Sequence, residues 1–357
     1  MPDQLELLAG GRSHAGWESI RVTRSMEHGA GSFSLAVSER WPGLDAPRQV
    51  RPGERCEVRV AGETVITGYV DEVEASIDSS SHTVSVAGRD AVADLIDCSA
   101  VRKAGQWRGL RIEQIAAELA APFGVRVRAD VDTGKALTSF AIQEGETVFD
   151  AITRAARIRA LLVVSDSTGG LLITRAASAR VGTTLELGVN LLKCSVKSDW
   201  KDRYRDYLLK GQAPGSDYFN GAAAAQIAAR AADGGMTRYR PLLITADAPD
   251  IAATLQQRAQ WEANSRAARS LTVTAVVQGW RHAEGLWAPN MLATVVANEL
   301  HLAAELMITA AEFGLSGTEG STTTLTLTRA DAYTLLPIKP MDDAGNFWTV
   351  PKAQAAK

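Results

Sequence analysis

The sequence predicts a mainly β protein with α+β insertions: two related antiparallel β-barrel domains, an α+β domain and a helical insertion. Three observations predict this. Apolar and polar residues alternate with period two over the first hundred residues and again over residues 271 to 333, which is the pattern of strands with one face on a core. The alternation gives way to helical spacing after about Cys98. Finally, two stretches near opposite ends share one design. Thr67-Gly68-Tyr69-Val70-Asp71-Glu72-Val73 is followed by Thr83–Val86 and Arg89-Asp90-Ala91; Ile308–Phe313 is followed by Thr324–Leu327 and Arg329-Ala330-Asp331-Ala332. Matching Asp90 with Asp331 puts 241 residues between the copies, which points to a repeated domain rather than a short solenoid repeat. A chance likeness of two β hairpins stays open on this pattern alone.

In chain order, residues 1–99 form the first barrel domain. Leu5–Leu8 turn at Gly10-Gly11; Ile20 and Val22, then Phe33, Leu35 and Val37, then Cys56, Val58 and Val60 alternate with polar neighbours. Closing such strands into a barrel removes edges that would otherwise aggregate. Residues 100–182 form the α+β domain. Ile112, Ile115, Ala116 and Leu119 fall at helical spacing, stopped by Pro122 and Gly124. A second helix starts at Thr147, whose hydroxyl can cap it, with Val148, Ala151, Ile152 and Ala155 facing inward. Leu161–Val164 and Leu171–Thr174 make a hairpin around Thr168-Gly169-Gly170.

Residues 183–336 form the second barrel domain, interrupted by a helical insertion over 214–270. Its strands begin at Leu185–Leu187, Leu192–Lys197 and Arg203–Gly211. The Ala-rich stretch Gly221–Ala232 is expected to be helical. A long helix opens at Pro249 and carries Ile251, Leu255, Ala259 and Ala263 on a thin apolar stripe, so it lies on the surface or against a partner. Residues 337–357 read as a flexible tail.

Bulk properties exclude several classes. The 357-residue chain has 46% hydrophobic and 22% charged residues and a net charge of −3, which suits an ordinary globular protein and not a nucleic-acid binder. Cys56, Cys98 and Cys194 are widely spaced and form neither a disulfide framework nor a zinc motif. Met1-Pro2-Asp3-Gln4 does not start a signal peptide, and the longest branched apolar run, Leu161–Val164, is far short of a membrane span. No direct membrane insertion is expected.

The residues supply no catalytic, cofactor-binding or metal-binding set. Gly314-Leu315-Ser316-Gly317 lacks the spacing of a nucleophile elbow, and Gly29-Ala30-Gly31 and Gly134-Lys135 are incomplete as phosphate loops. His14, His28, His82, His282 and His301 are isolated and read as solvated groups. Asp71 and Glu72 point to opposite faces of a strand, so they cannot form a glycosidase pair. The segment Phe140–Val148 resembles the start of a LysM-type glycan-binding module, and equally a strand, a Gly turn and a capped helix. Among the eight tryptophans, Trp261 on the polar helix is the one expected to face a partner.

Three stretches carry a family resemblance: Gly16–Ser25, Gly68-Tyr69-Val70-Asp71, and Val86 through Cys98. They are joined by Gly105-Gln106-Trp107, Pro122-Phe123-Gly124-Val125, Thr237–Pro241, Gly279-Trp280 and Leu286–Asn290. In this order the chain resembles the baseplate hub (tail) proteins of Mu-like bacteriophages, related to the contractile-tail hub proteins of the late control protein D family. The resemblance implies a non-enzymatic structural protein of the virion tail, assembled in the host cytoplasm. It implies a homotrimeric ring in which three chains with two barrels each match the sixfold tail tube on one side and the threefold spike on the other. The implied partners are itself, the central spike protein, and the tail tube or other baseplate proteins. DNA passes without specific binding, through a bore expected to be neutral or acidic. A tail-associated peptidoglycan-binding or cell-wall-degrading protein is the alternative.

Overall fold

The computed structural model describes residues 4–38, 50–77, 82–102, 105–159, 161–177, 179–211, 227–245 and 252–333, and among them the chain is mainly β. The first half contributes β1 (Leu5–Ala9), β2 (Arg12–His14), β3 (Ser19–Ser25), β4 (Ser32–Ser38), β5 (Arg55–Val60), β6 (Glu63–Ile77) and β7 (His82–Asp90). An α+β unit follows with α1 (Ala93–Asp97), β8 (Gln106–Trp107), α2 (Ile112–Ala120), β9 (Val127–Ala129), β10 (Phe140–Ala141), α3 (Val148–Arg157), β11 (Leu162–Ser165) and β12 (Leu171–Thr174). Next come β13 (Ala179–Arg180), β14 (Leu185–Glu186), β15 (Leu191–Ser198), β16 (Asp206–Gly211), β17 (Ile227–Ala232) and β18 (Pro241–Thr245), then a long helix, Ala252–Arg269. The chain ends its described part with β19 (Leu271–Gln278), β20 (Arg281–His282), β21 (Gly285–Leu286), β22 (Met291–Ala297), β23 (Leu302–Ser316) and β24 (Gly320–Thr328).

The two ends of the chain repeat one strand plan. The first half orders its strands β3-β4-β7-β6-β5, and the second half orders them β15-β19-β24-β23-β22. In each, a 15-residue strand pairs with the strand before it through its N-terminal part and with a 9-residue strand after it through the rest. Both long strands carry a register shift at the changeover, between Val70 and Glu72 in β6 and between Ile308 and Ala310 in β23. Two bulges at one place in two copies mark a shared design, because a bulge re-aims every residue after it.

The bulges also correct the sequence alignment. Asp71 matches Thr309, a separation of 238; through the ladders Gly88 matches Leu327, so Asp90 matches Arg329 and not Asp331. The two aspartates do different work. Asp90 accepts hydrogen bonds from backbone N–H groups of the first half, whereas Asp331 pairs with Arg329 inside a short 3-10 turn.

The halves are not separate bodies. Beyond the point where β22 stops, β23 pairs with β3 from Ala310↔Ser25 to Leu315↔Ile20, and this junction makes a single sheet of 14 strands among the described residues. One core runs beneath it, from Leu35, Val58 and Val86 to Val273, Phe313 and Leu325, all buried. The α+β unit has its own core, in which Leu95, Ile115, Ile152 and Ile173 meet. Thr147 caps α3 as its sequence predicts, its hydroxyl accepting from Asp150 N at 3.1 Å.

The insertion differs from its sequence reading. Ile227–Ala232 is strand β17, not helix, and pairs antiparallel with β16, while β18 pairs parallel with β16 on the other side. Arg203–Gly211, assigned above to the second barrel, therefore belongs with the insertion instead. Ala229 and Ala231 pack against Leu255, Ala259 and Ala263 of the long helix, so the alanines serve close sheet-to-helix approach. Tertiary packing overrides alanine's helix propensity here. The helix is also not a free surface element, since its apolar stripe is buried and Ala268 packs with Met26, Met307 and Tyr333. Residues 221–226, Pro249 and the tail from 337 lie outside the described residues.

Candidate functional site

Strand alternation that buries one face must present the other, and here that second face is continuous across the junction between the halves. It carries Ser19, Arg21 and Thr23 on β3, Ser32 and Ser34 on β4, Thr83 and Ser85 on β7, Glu312 on β23, Thr322, Thr324 and Thr326 on β24, and Thr272 and Thr274 on β19. Register aligns them into rows: Ser34 lies beside Arg21, Arg21 beside Gly314, and Gly314 beside Thr322. A shallow depression lies here, lined by Arg21, Ser34, Glu312, Glu319, Thr322 and Thr324 among others.

The cations on this face have acidic neighbours. Arg21 Nε lies 3.5 Å from Glu312 Oε1, and Thr23 donates to Glu312 Oε2 at 3.2 Å. Arg89 reaches Asp97 at 2.8 Å and Asp71 at 2.7 Å; these bonds, Asp97's first, hold its pKa above the ordinary arginine value. Lys193 Nζ meets Glu319 at 2.7 Å, which holds that carboxyl below its usual range, and Lys197 lies 3.5 Å from Asp199. Exposed pairs such as these add little stability, but they leave few uncompensated charges. The face is thus hydroxyl-rich, each of these cations has a carboxylate beside it, and register adds Glu72 and Glu74 of β6 to the same face.

A buried charged seam lies where the first half meets the α+β unit. Asp90 is 2% exposed and accepts from Gly31 N at 2.5 Å and Val92 N at 3.0 Å. Burial pushes its carboxyl up to about 6, against the pull of those two donors, of Ser165 and of Arg24. Arg24 itself is lowered by burial, with Asp90 and Asp166 opposing. The folded-state value of Asp90 lies above that of the unfolded chain, so its contribution to stability is complete below about pH 4 and is lost as pH rises through about 6. From pH 5 to pH 7 this one group is expected to remove about 1 kcal/mol of unfolding free energy. Asp90→Asn should be less stable by about 1–3 kcal/mol, because its amide puts a donor against a backbone N–H, and should lack that slope. Urea titrations of both proteins at the two pH values check this; parallel curves would contradict it.

The sequence-selected residues fall mostly outside this surface. Trp261 is half-buried and lines a cavity of about 550 Å³ with Met26, Phe149, Arg157, Arg269 and Tyr333, between the long helix, the α+β unit and the sheet. Trp17, Trp107, Trp280 and Trp287 are core residues; Trp41 and Trp348 lie outside the described residues. His14 is buried rather than solvated, His28 and His301 are exposed, and His282 lies tilted against Trp287 with ring centroids 5.0 Å apart. Cys56 is buried, Cys194 half-buried and Cys98 exposed, and all three are free thiols. In the LysM-like segment, Phe140 and Val148 are buried, with Phe140 against Trp107 and beneath Arg154, so they are engaged in packing. Asp71 sits in the β6 bulge, paired with Arg89. Among the described residues, no group of three or more His, Cys, Asp or Glu is placed to hold a metal ion, and no helix is long and apolar enough to cross a membrane. Sequence reasoning missed the hydroxyl-rich face, although the Ser/Thr positions opposite each apolar residue were its signal.

Comparison with known proteins places this geometry. Residues 4–90 match the family described as "Mu phage baseplate assembly protein GpP-like, N-terminal", residues 92–175 the "Baseplate hub protein gp44-like, second domain", and residues 251–336 the "Mu phage baseplate assembly protein GpP, fourth domain". The chain is 38% identical over 352 residues to the baseplate hub protein gp44 of Escherichia phage Mu, covering 95% of this chain and 91% of that protein. Its fold resembles the 43 kDa tail protein of prophage MuSo2 from Shewanella oneidensis, with TM-score 0.84, 33% identity, and 93% and 100% of the two chains covered. It also resembles the tail protein from Neisseria meningitidis, with TM-score 0.82, 25% identity, and 93% and 98% covered.

Proposed function

The chain belongs to the family of Mu-type phage baseplate hub proteins, a structural component of the virion tail, and from that premise we propose that it assembles as a trimeric ring joining tube to spike. The observation that carries this reading is the repeated strand plan: each chain brings two like units, so three chains present six, and one ring can meet a sixfold partner and a threefold one. The implied partners are further copies of the chain, the central spike protein, and the tube or neighbouring baseplate proteins. The chain enters the virion from the host cytoplasm and has no enzymatic role.

The hydroxyl-rich face supports a second part of the reading, that it lines a channel for DNA. A polyanion binds where unpaired Lys and Arg release its counterions. Here Arg21, Arg89, Lys193 and Lys197 each have a carboxylate neighbour, so a passing duplex finds hydrogen bonds to water and little to hold it.

Native mass spectrometry tests the assembly. Three copies of the 38.0 kDa chain should appear at about 114 kDa at micromolar concentration, alone or on addition of the spike protein. A monomer under both conditions would overturn the ring.

A further inference from the structure

We infer that neighbouring copies join by strand addition, the free edge of β15 in one chain pairing antiparallel with the C-terminal half of β6 in the next, as β3 pairs with β23 inside the chain. This rests on the ring reading above for the number of copies, and on the sheet itself for the contact. The internal repeat makes β3 the counterpart of β15, and β6 that of β23. Inside the chain one such pair is joined: the edge of β23 beyond β22 is filled by β3. The other pair is open. β5 leaves β6 at Tyr69, and among the described residues no strand takes the edge from Glu72 to Ile77. Among the described residues β15 ends the sheet, with β19 on one side and no strand on its outer edge over Lys193–Ser198. Unpaired edges of this length are templates for another strand.

Burial supports the same conclusion. The β23 positions Ala311 and Phe313 are fully buried beneath the junction with β3. Their β6 counterparts, 238 residues earlier, are Val73, half-buried, and Ala75, exposed; Ile77, the counterpart of Leu315, is 76% exposed. On the other edge, Ile20 and Val22 of β3 are buried, while their counterparts Cys194 and Val196 are only half-buried. Core-type positions lack cover on both open edges.

The repeat also sets the register. Phe313↔Val22 becomes Ala75↔Val196, Leu315↔Ile20 becomes Ile77↔Cys194, and Glu312↔Thr23 becomes Glu74↔Lys197. An acid thus lies opposite a base, and apolar residues meet apolar ones or a thiol. The occupant is a second copy of this chain, because only the repeat supplies a matching edge for each. The contact is head-to-tail, so it closes as a ring when the rotation permits.

The test is a single cysteine. In a Cys98→Ser background, Ile77→Cys should oxidise with the native Cys194 of the neighbour, since facing residues of an antiparallel pair lie within disulfide reach. A non-reducing gel should show covalent dimers and trimers, lost on Cys194→Ser. Ser76→Cys, on the opposite face, should cross-link at background level. Independently, Glu74→Lys should weaken assembly about fivefold or more, and adding Lys197→Glu should restore it. If native mass spectrometry shows a trimer while Ile77→Cys cross-links no better than Ser76→Cys, the strand-addition contact is wrong and the ring stands. A monomer throughout overturns both.

Discussion

Trp280→Ala is expected to lower the unfolding free energy by about 3–5 kcal/mol. Trp280 is fully buried just after β19, and its indole N–H donates to the carbonyl of Gly314 at 3.0 Å. Gly314 lies in β23 between Arg21 of β3 and Thr322 of β24, at the join of the two halves. The side chain therefore fills the core and anchors the strand on which the junction depends. Removing it leaves a cavity the size of an indole and deletes that hydrogen bond, and surrounding strands held by ladders on both sides cannot collapse into the space. Trp280→Phe keeps most of the volume and loses the hydrogen bond, so it should cost less. Urea unfolding followed by circular dichroism measures both, and a Trp280→Ala loss under about 1 kcal/mol would contradict this account.

Asp233→Ala is expected to cost about 3–5 kcal/mol by leaving a buried cation without its partner. Arg203 and Asp233 are 3% and 7% exposed at their side chains and meet through two bonds, Nε to Oδ2 at 2.5 Å and Nη2 to Oδ1 at 2.9 Å. The guanidinium also lies over Trp200, 4.6 Å from its ring centroid, and Asp233 accepts from Gly235 N at 2.9 Å. The pair closes the end of the module formed by β16 to β18 and the long helix. A double change to apolar residues, Arg203→Met with Asp233→Leu, removes both charges and should be milder than Asp233→Ala alone. Equal losses for the single and double variants, read from urea midpoints, would assign the cost to shape rather than charge.

Much of this molecule is legible from its residues. Strands such as Phe33–Val37 and Leu325–Leu327 announce themselves by alternation, and the caps and stops of α2 and α3 by Thr147, Pro122 and Gly124. The repeat is visible as well, but its alignment is not, because nothing in Val70-Asp71-Glu72 or Ile308-Thr309-Ala310 marks the bulge. Ile227–Ala232 reads as helix because alanine favours helices, and only the neighbouring strand and the long helix turn it into a sheet edge. The hydroxyl-rich face was half-legible: its residue types are written along each strand, while the Arg21–Glu312 pair joins positions far apart in sequence.

What the sequence determined by itself is the local character of each segment and the presence of two like units, because alternation, turn residues and caps act over a few neighbouring positions. The tertiary structure alone decided that β3 crosses to β23, that the bulges fall where they do, and that β6 and β15 keep open edges. Those choices depend on which distant edges best bury a shared core, and that free energy exists only once the strands lie side by side.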